Sequence, residues 1–264
     1  MKTRKYYKKN KLINELKITL HGLKFLINYL LKIKKDREIS FLEKSKYIFN
    51  KTAVIDIGAN SGDWSMTLSD LVTNNGKVIA YEPHPYFYRA TRKAIKYSLK
   101  KNIRLYKLAV GSIKNKSKLI INENNVDLKY RSRIDNSINK NKANDYVYIE
   151  TVRLDEHNKD IDYKISIIKI DVEGYEYEVI KGSERIIKEN SPIIIFEINE
   201  DKKGRENYEN IQKILYKYDY KIYYVNERMN LKRFNNFKQI QLIGTNNLIA
   251  IVKKDFNLME KSKK

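Results

Sequence analysis

From residue 53 onward the chain alternates short, uninterrupted Val/Ile runs with amphipathic segments, and no other feature of the sequence restricts the fold as much. Residues 53–57 form one such run. Trp64, Leu68, Leu71 and Val72 then share one helix face, and residues 77–81 give a second run that ends at Glu82-Pro83. Strand, helix, strand is a βαβ unit. A helix over 85–99 precedes a strand over 103–110. Later come a strand over 166–170, a helix with Val179, Ser183, Ile186 and Ile187 on one face, and an apolar run over 192–198. Runs that are apolar at every position belong to parallel strands covered on both faces by helices. A helix through Tyr208, Ile211, Leu215 and Tyr218 leads to strands over 220–225 and 248–252, a closing hairpin with 226–247 as its connection. The expected architecture is α/β: a Rossmann-like doubly wound sheet, mostly parallel with an antiparallel last strand, behind an N-terminal helical extension.

Residues 1–50 form that extension. Leu12, Leu16, Leu20, Leu23, Ile27 and Leu30 recur at steps of three and four, the stripe of an amphipathic helix, with Lys17, Lys24, Asn28 and Lys32 off it. Glu15, Lys17 and Lys24 interrupt the segment, which leaves neither about 18 uninterrupted apolar residues for a membrane span nor a signal-peptide core with a small-residue cleavage site. The stripe is expected to pack on the chain's own domain. Peripheral contact of residues 12–33 with an anionic membrane surface is the second reading. The domain itself is expected over 51–264, with 123–145 as a polar insertion near the acceptor.

The 264 residues include 54 Lys or Arg and 32 Asp or Glu, a formal charge of +22. That sign suits an anionic partner such as nucleic acid, an acidic leaflet or an acidic glycan. The lysines are scattered, however, and the chain is rich throughout in Lys, Ile, Asn and Tyr, as an AT-rich genome produces, so the excess is read as compositional. Cysteine is absent. Disulfides, thiolate zinc sites, cysteine-ligated iron-sulfur clusters and a cysteine nucleophile are thereby excluded. With nothing arguing for secretion, a cytoplasmic location is expected.

In an open parallel sheet the ligand sits beyond the carboxyl ends of the strands, where strand order reverses. The first strand here runs into D-I-G-A-N-S-G, with Asp56, Gly58, Asn60 and Gly62 in the turn before a helix. A dinucleotide site wants G-x-G-x-x-G with a pyrophosphate on the helix N-terminus. This loop lacks the second glycine, and Asp56 would repel a pyrophosphate. An acid there suits a cation, and S-adenosylmethionine carries a sulfonium and an ammonium. Glu82 ends the second strand 24 residues after Gly58, where a carboxylate can accept both ribose hydroxyls.

These blocks give the chain a resemblance to the FkbM-type methyltransferases, a class I S-adenosylmethionine-dependent family. The likeness rests on V-I-D-I-G-A-N-S-G at 54–62, Y-E-P at 81–83, L-A-V-G at 108–111, T-V-R-L-D at 151–155, I-K-I-D-V-E-G-Y-E at 168–176 and F-E-I at 196–198. It covers roughly 50–200. The resemblance implies O-methylation, typically of a sugar hydroxyl in a glycan, a lipid-linked sugar or a natural product. It further implies that Asp56, Gly58, Asn60 and Gly62 line the methionine end of the cofactor, Glu82 the ribose, and Ala109 and Val110 the adenine. Asp171 would stand beside the methyl group. Asp155 matches a block but receives no mechanistic role.

Holding an acceptor oxygen in line with an activated methyl can account for about 7 to 11 kcal/mol of barrier. A positioned base adds roughly 10² to 10⁴ in rate. The candidates at strand ends are Asp171, Glu173 and Glu197, with Asp171 the first choice, Glu173 an alternative helix-orienting group and Glu197 an alternative substrate ligand. Such carboxylates can also hold a divalent cation. With no companion histidine in the motif, a carboxylate base is expected and no metal site is assigned. His84 and His157 are secondary bases, and His84, between two prolines, is expected to be structural. Trp64 is expected in the core, and Lys129, Arg131 and Arg133 are candidates for gripping an anionic acceptor. The rival readings are an RNA ribose methyltransferase and a non-catalytic basic α/β module. Cysteine-dependent base methylation is impossible, and D-V-E-G lacks the proline-aromatic pair that clasps a flipped amino group.

Overall fold

The computed structural model describes residues 11–32, 36–45, 50–120, 133–134, 146–159 and 161–252. Two helices, α1 (Lys11–Leu30) and α2 (Arg37–Lys44), precede β1 (Ala53–Ile57), α3 (Asp63–Val72) and β2 (Lys77–Tyr81). Next, α4 (Pro85–Tyr97) leads to β3 (Ile103–Tyr106). Four short strands follow, β4 (Ala109–Val110), β5 (Asn115–Ile120), β6 (Arg133–Ile134) and β7 (Tyr146–Val152), then α5 (Leu154–His157) and β8 (Ile165–Ile170). Helices α6 (Glu176–Lys181) and α7 (Glu184–Asn190) connect to β9 (Ile193–Glu197), and α8 (Lys202–Lys217) to β10 (Tyr220–Val225), β11 (Leu231–Arg233) and β12 (Asn247–Val252).

The main sheet has the order β11-β10-β12-β9-β8-β1-β2-β3. From β9 to β3 every pairing is parallel, while β12 runs antiparallel to both β9 and β10. The expected mixed α/β fold with a closing antiparallel strand is therefore present. Alternate residues of the buried strands face opposite layers. Ile55, Ile168 and Ile194 join the core under α6, α7 and α8, whereas Val54, Ile167 and Ile193 join the core under α2 and α3. Because both faces are covered, these strands carry no polar alternation.

Three expectations change. The strand over 103–110 is two strands in two sheets, β3 in the main sheet and β4 in a small one of order β4-β7-β5-β6. The helix around residues 179–187 is two helices that meet at Gly182 and Ser183. Finally, α1 packs on its domain through the face opposite the predicted stripe. Ile18 and Phe25 are buried in a cluster with Met66, Phe87, Ala90 and Ala94, and Gly22 closes on the Ala90 carbonyl, while Leu16, Leu20, Leu23, Ile27 and Leu30 face outward. Of the polar insertion over 123–145, only 133–134 lie within the described residues; Lys129 and Arg131 fall outside them. No helix among the described residues is long and apolar enough to cross a membrane.

Candidate active site

The chain leaves β1 for β2 and β3 on one side and returns to β8 on the other, so the crevice at their carboxyl ends is the topological switch point. A cleft opens there. Gly58, Asn60, Glu82, Ala109, Val110, Asp171 and Glu173 line it, together with Tyr81, Phe87, Leu108, Val172, Leu119 and Ile134. The last two come from β5 and β6, so the small sheet supplies an apolar wall.

The β1 turn has its shape because of two glycines with φ of +81° each. A Cβ at Gly58 would collide with the Asp171 carbonyl, and one at Gly62 would stand 2.8 Å from Thr91 Cγ2. Glycine at 58 thus lets the β1 and β8 loops touch, and the amide of Asp171 donates to the Ile57 carbonyl at 3.0 Å. Gly58 and Ala59 both donate to the Tyr81 carbonyl at 3.0 Å, which ties the turn to β2. Thr91 of α4 donates to the Asn60 carbonyl.

Glu82 is buried at the end of β2. One carboxylate oxygen accepts from the Asn60 amide and the other from the His84 amide, each at 2.8 Å. Burial pushes its carboxyl up to about 7, against the two backbone donors and the charge of Lys169, which pull it down. Each oxygen keeps a lone pair for a ligand hydroxyl. His84 accepts from the Tyr86 amide through Nδ1 as the N-cap of α4, and burial lowers it to about 4. It is a neutral capping group.

Asp56 does not line the cleft. It is fully buried, accepts from Ser65 Oγ at 2.5 Å and stands 3.6 Å from Lys169 Nζ. Lys169, which the motif reading passed over, also reaches Asp171 Oδ2 at 3.3 Å and donates to the Gly58 carbonyl at 3.2 Å. Burial opposes its charge, yet Asp171 and Asp56 outweigh that and hold the ammonium above its ordinary value. A signal existed. Lys169 is cross-strand to Asp56 and two residues before Asp171, so all three side chains share one sheet face, and a lysine inside an apolar strand requires a partner.

At the ends of β8 and β9, Asp171, Glu173 and Glu197 each present a carboxylate oxygen within 4.8 Å of the others. Burial, then the charges of Asp171, Glu173 and Glu176, push Glu197 up to about 8. Glu173 has φ +54°, and the following turn is held by Glu176, whose Oε1 accepts from Gly174 N at 3.0 Å and Val172 N at 3.4 Å. Glu176 was not anticipated either. Burial pushes it up to about 7.

The remaining sequence candidates have structural partners. Asp155 accepts from the Arg185 and Ile186 amides, both at 3.0 Å, and so caps α7 from a distance. His157 shares a 2.8 Å hydrogen bond with the Tyr81 hydroxyl and is not part of the cleft lining. Trp64 is buried, donates to Asp36 at 2.6 Å and stacks under Lys169 Nζ at 5.8 Å, so the cation it meets belongs to the protein.

The family model of the methyltransferase FkbM domain matches residues 56–222, more than half of the chain. The chain belongs to the FkbM methyltransferase family. Membership makes it a methyltransferase with S-adenosylmethionine as its cofactor. Among solved structures it is similar to a methyltransferase FkbM from Methylobacillus flagellatus KT (16% identity, TM-score 0.49), covering 77% of this chain and 44% of that one. It thus spans less than half the length of that protein. It is also similar to an S-adenosylmethionine-dependent O-methyltransferase from Thermotoga maritima (13%, TM-score 0.47, covering 86% and 71%). A third is the Aeropyrum pernix fibrillarin with natively bound S-adenosylmethionine (12%, TM-score 0.42, covering 77% and 67%). No curated protein matches the sequence.

The cleft suits that cofactor. Glu82 offers acceptors for a vicinal diol, and Ala109 and Val110 offer apolar surface for a flat ring. Positive charge on a sulfonium finds Asp171 and Glu173 in the same lining.

Proposed function

We propose that the protein transfers the methyl group of S-adenosylmethionine to a hydroxyl oxygen of a sugar, with Asp171 as the base. The observation that carries this reading is the group of three carboxylates, Asp171, Glu173 and Glu197, within 4.8 Å of one another, of which Asp171 and Glu173 line the cleft. Carboxylates are the acceptors a polyhydroxylated acceptor requires, and the same negative rim repels a phosphodiester, which favours a sugar over a nucleic acid.

In the reaction the acceptor oxygen attacks the methyl carbon opposite sulfur. The C–O bond forms, the C–S bond breaks with its electron pair left on sulfur, and the hydroxyl proton passes to the Asp171 carboxylate. S-adenosylhomocysteine and a methyl ether leave. Lys169 keeps Asp171 oriented, while Glu197, raised to about 8 by burial and the neighbouring carboxylates, holds its own proton near neutrality in a hydrogen bond to Asp171. Positioning and base catalysis together supply the rate, at ~7 to 11 kcal/mol for the former and about 10² to 10⁴ for the latter.

The test is transfer of radiolabelled methyl from S-adenosylmethionine to glycans, lipid-linked sugars and RNA, each with and without a chelator. Label in a sugar ether that persists in the chelator supports the reading. Label in RNA alone, or transfer that stops on chelation and returns with a divalent cation, contradicts the acceptor or the base respectively.

A further inference from the structure

The outward face of α1 has no counterpart in the active site. Ile13, Leu16, Leu20, Leu23, Ile27 and Leu30 form one continuous stripe along its length, each between 39% and 62% exposed, although the opposite face already holds the helix on α4. Aliphatic residues scattered singly on a surface need no partner, but a contiguous stripe of six marks a surface that something covers.

Charge identifies the occupant. Lys17 and Lys24 are exposed along one rim of the stripe, and on the other rim Lys93 of α4 donates to Thr19 at 2.6 Å while Arg89 pairs with Glu15. The residues leading into the helix include Lys2, Arg4, Lys5, Lys8 and Lys9, with no acid before Glu15. An apolar stripe with exposed lysines along one rim and two α4 cations gathered around Glu15 on the other, following a basic segment, matches an acyl-chain boundary beneath anionic headgroups, where lysine stems lie along apolar surface with the ammonium raised to the headgroups. A second copy of the chain fits less well. Steps of three and four would suit a coiled coil, but pairing would bring together two molecules of charge +22.

We propose that α1 docks this protein on an anionic lipid surface, inserting the Ile13–Leu30 face while its Ile18–Phe25 face stays on the domain. The proposal does not depend on the methyl-transfer reading. Docking in this way would bring the enzyme to acceptors carried on a membrane.

The experiment is co-sedimentation of the full chain with vesicles of phosphatidylglycerol and phosphatidylcholine, beside vesicles of phosphatidylcholine alone. Binding to the anionic vesicles is expected, weakened at least tenfold by Leu20→Asp combined with Ile27→Asp, and weakened again when salt is raised to about 0.5 M. Both positions are exposed, and a wild-type melting curve checks the fold of the variant. Lys17→Glu with Lys24→Glu gives an independent probe that leaves the apolar stripe intact and should also weaken binding. Absence of wild-type binding, binding that neither pair of substitutions alters, or a stable dimer in sedimentation equilibrium that ignores vesicles would each overturn the proposal.

Discussion

Lys169 Nζ lies 3.3 Å from Asp171 Oδ2 and, on its other side, 3.6 Å from Asp56 Oδ1. One buried ammonium therefore joins the end of β1, below its glycine turn, to the acidic end of β8. Asp56 is fully enclosed and its Oδ1 has no hydrogen-bond partner, so its charge is balanced chiefly by this lysine.

Removing Lys169 should consequently damage folding as well as chemistry. Lys169→Met leaves Asp56 as an uncompensated buried charge, and the expected loss is about 3 to 5 kcal/mol. Urea denaturation measures it. The double variant Lys169→Met with Asp56→Leu should recover much of the loss, since replacing both partners by apolar groups is often neutral.

Gly58→Ala should be worse than a glycine substitution elsewhere on the surface. At φ +81° the new Cβ is strained and meets the Asp171 carbonyl, which cannot move without parting β1 from β8. Several degrees of lost melting temperature and loss of S-adenosylhomocysteine binding are expected; Gly244→Ala, at φ +63° in open surroundings, should retain binding.

Asp171→Asn should separate binding from turnover. Shape and the Glu82 contacts remain, so calorimetric affinity for S-adenosylhomocysteine should stay within about threefold, while methyl transfer falls by roughly 10² to 10⁴. Unchanged transfer would remove Asp171 from the base role.

The pH dependences of binding and of stability should run in opposite directions. On the proposed reading Glu82 accepts both ribose hydroxyls as a carboxylate, and it is pushed up to about 7, so cofactor affinity should fall as pH drops through 7, by up to tenfold per unit. Glu82→Gln should abolish that slope. For the free protein, Glu82 and Glu176 near 7 and Glu197 near 8 bind protons more tightly folded than unfolded. Their contribution to stability therefore grows as pH falls from about 8 toward the ordinary carboxylate range. Melting of the unliganded protein at pH 6 and 8 checks the sign.

Much of this architecture was legible because uninterrupted Val/Ile runs and turn glycines are local signals. The strands over 53–57 and 77–81 fall where the apolar runs do, and the cleft gathers Gly58, Asn60, Glu82, Ala109, Val110, Asp171 and Glu173 from separate blocks. What escaped depends on tertiary contact. Asp56 carries an acid in the cofactor motif, yet its charge is spent on Lys169 beneath the cleft, a pairing visible only once β1 and β8 are set side by side. Asp155 sits in a motif block that gave it no role, because its partners are amides 30 and 31 residues away. For α1, periodicity singled out the leucine stripe and missed the narrower arc of Ile18 and Phe25, where Gly22 permits the closer approach to α4.

The most direct test of the cofactor site is calorimetric titration of S-adenosylhomocysteine into the wild-type chain and into Glu82→Ala at pH 8, where Glu82 is predominantly ionised. Saturable one-to-one binding by the wild type, reduced at least a hundredfold in the variant, is the predicted result. Equal affinity in the two proteins, or no wild-type binding at all, would contradict a cofactor held by Glu82 at the carboxyl rim of the sheet.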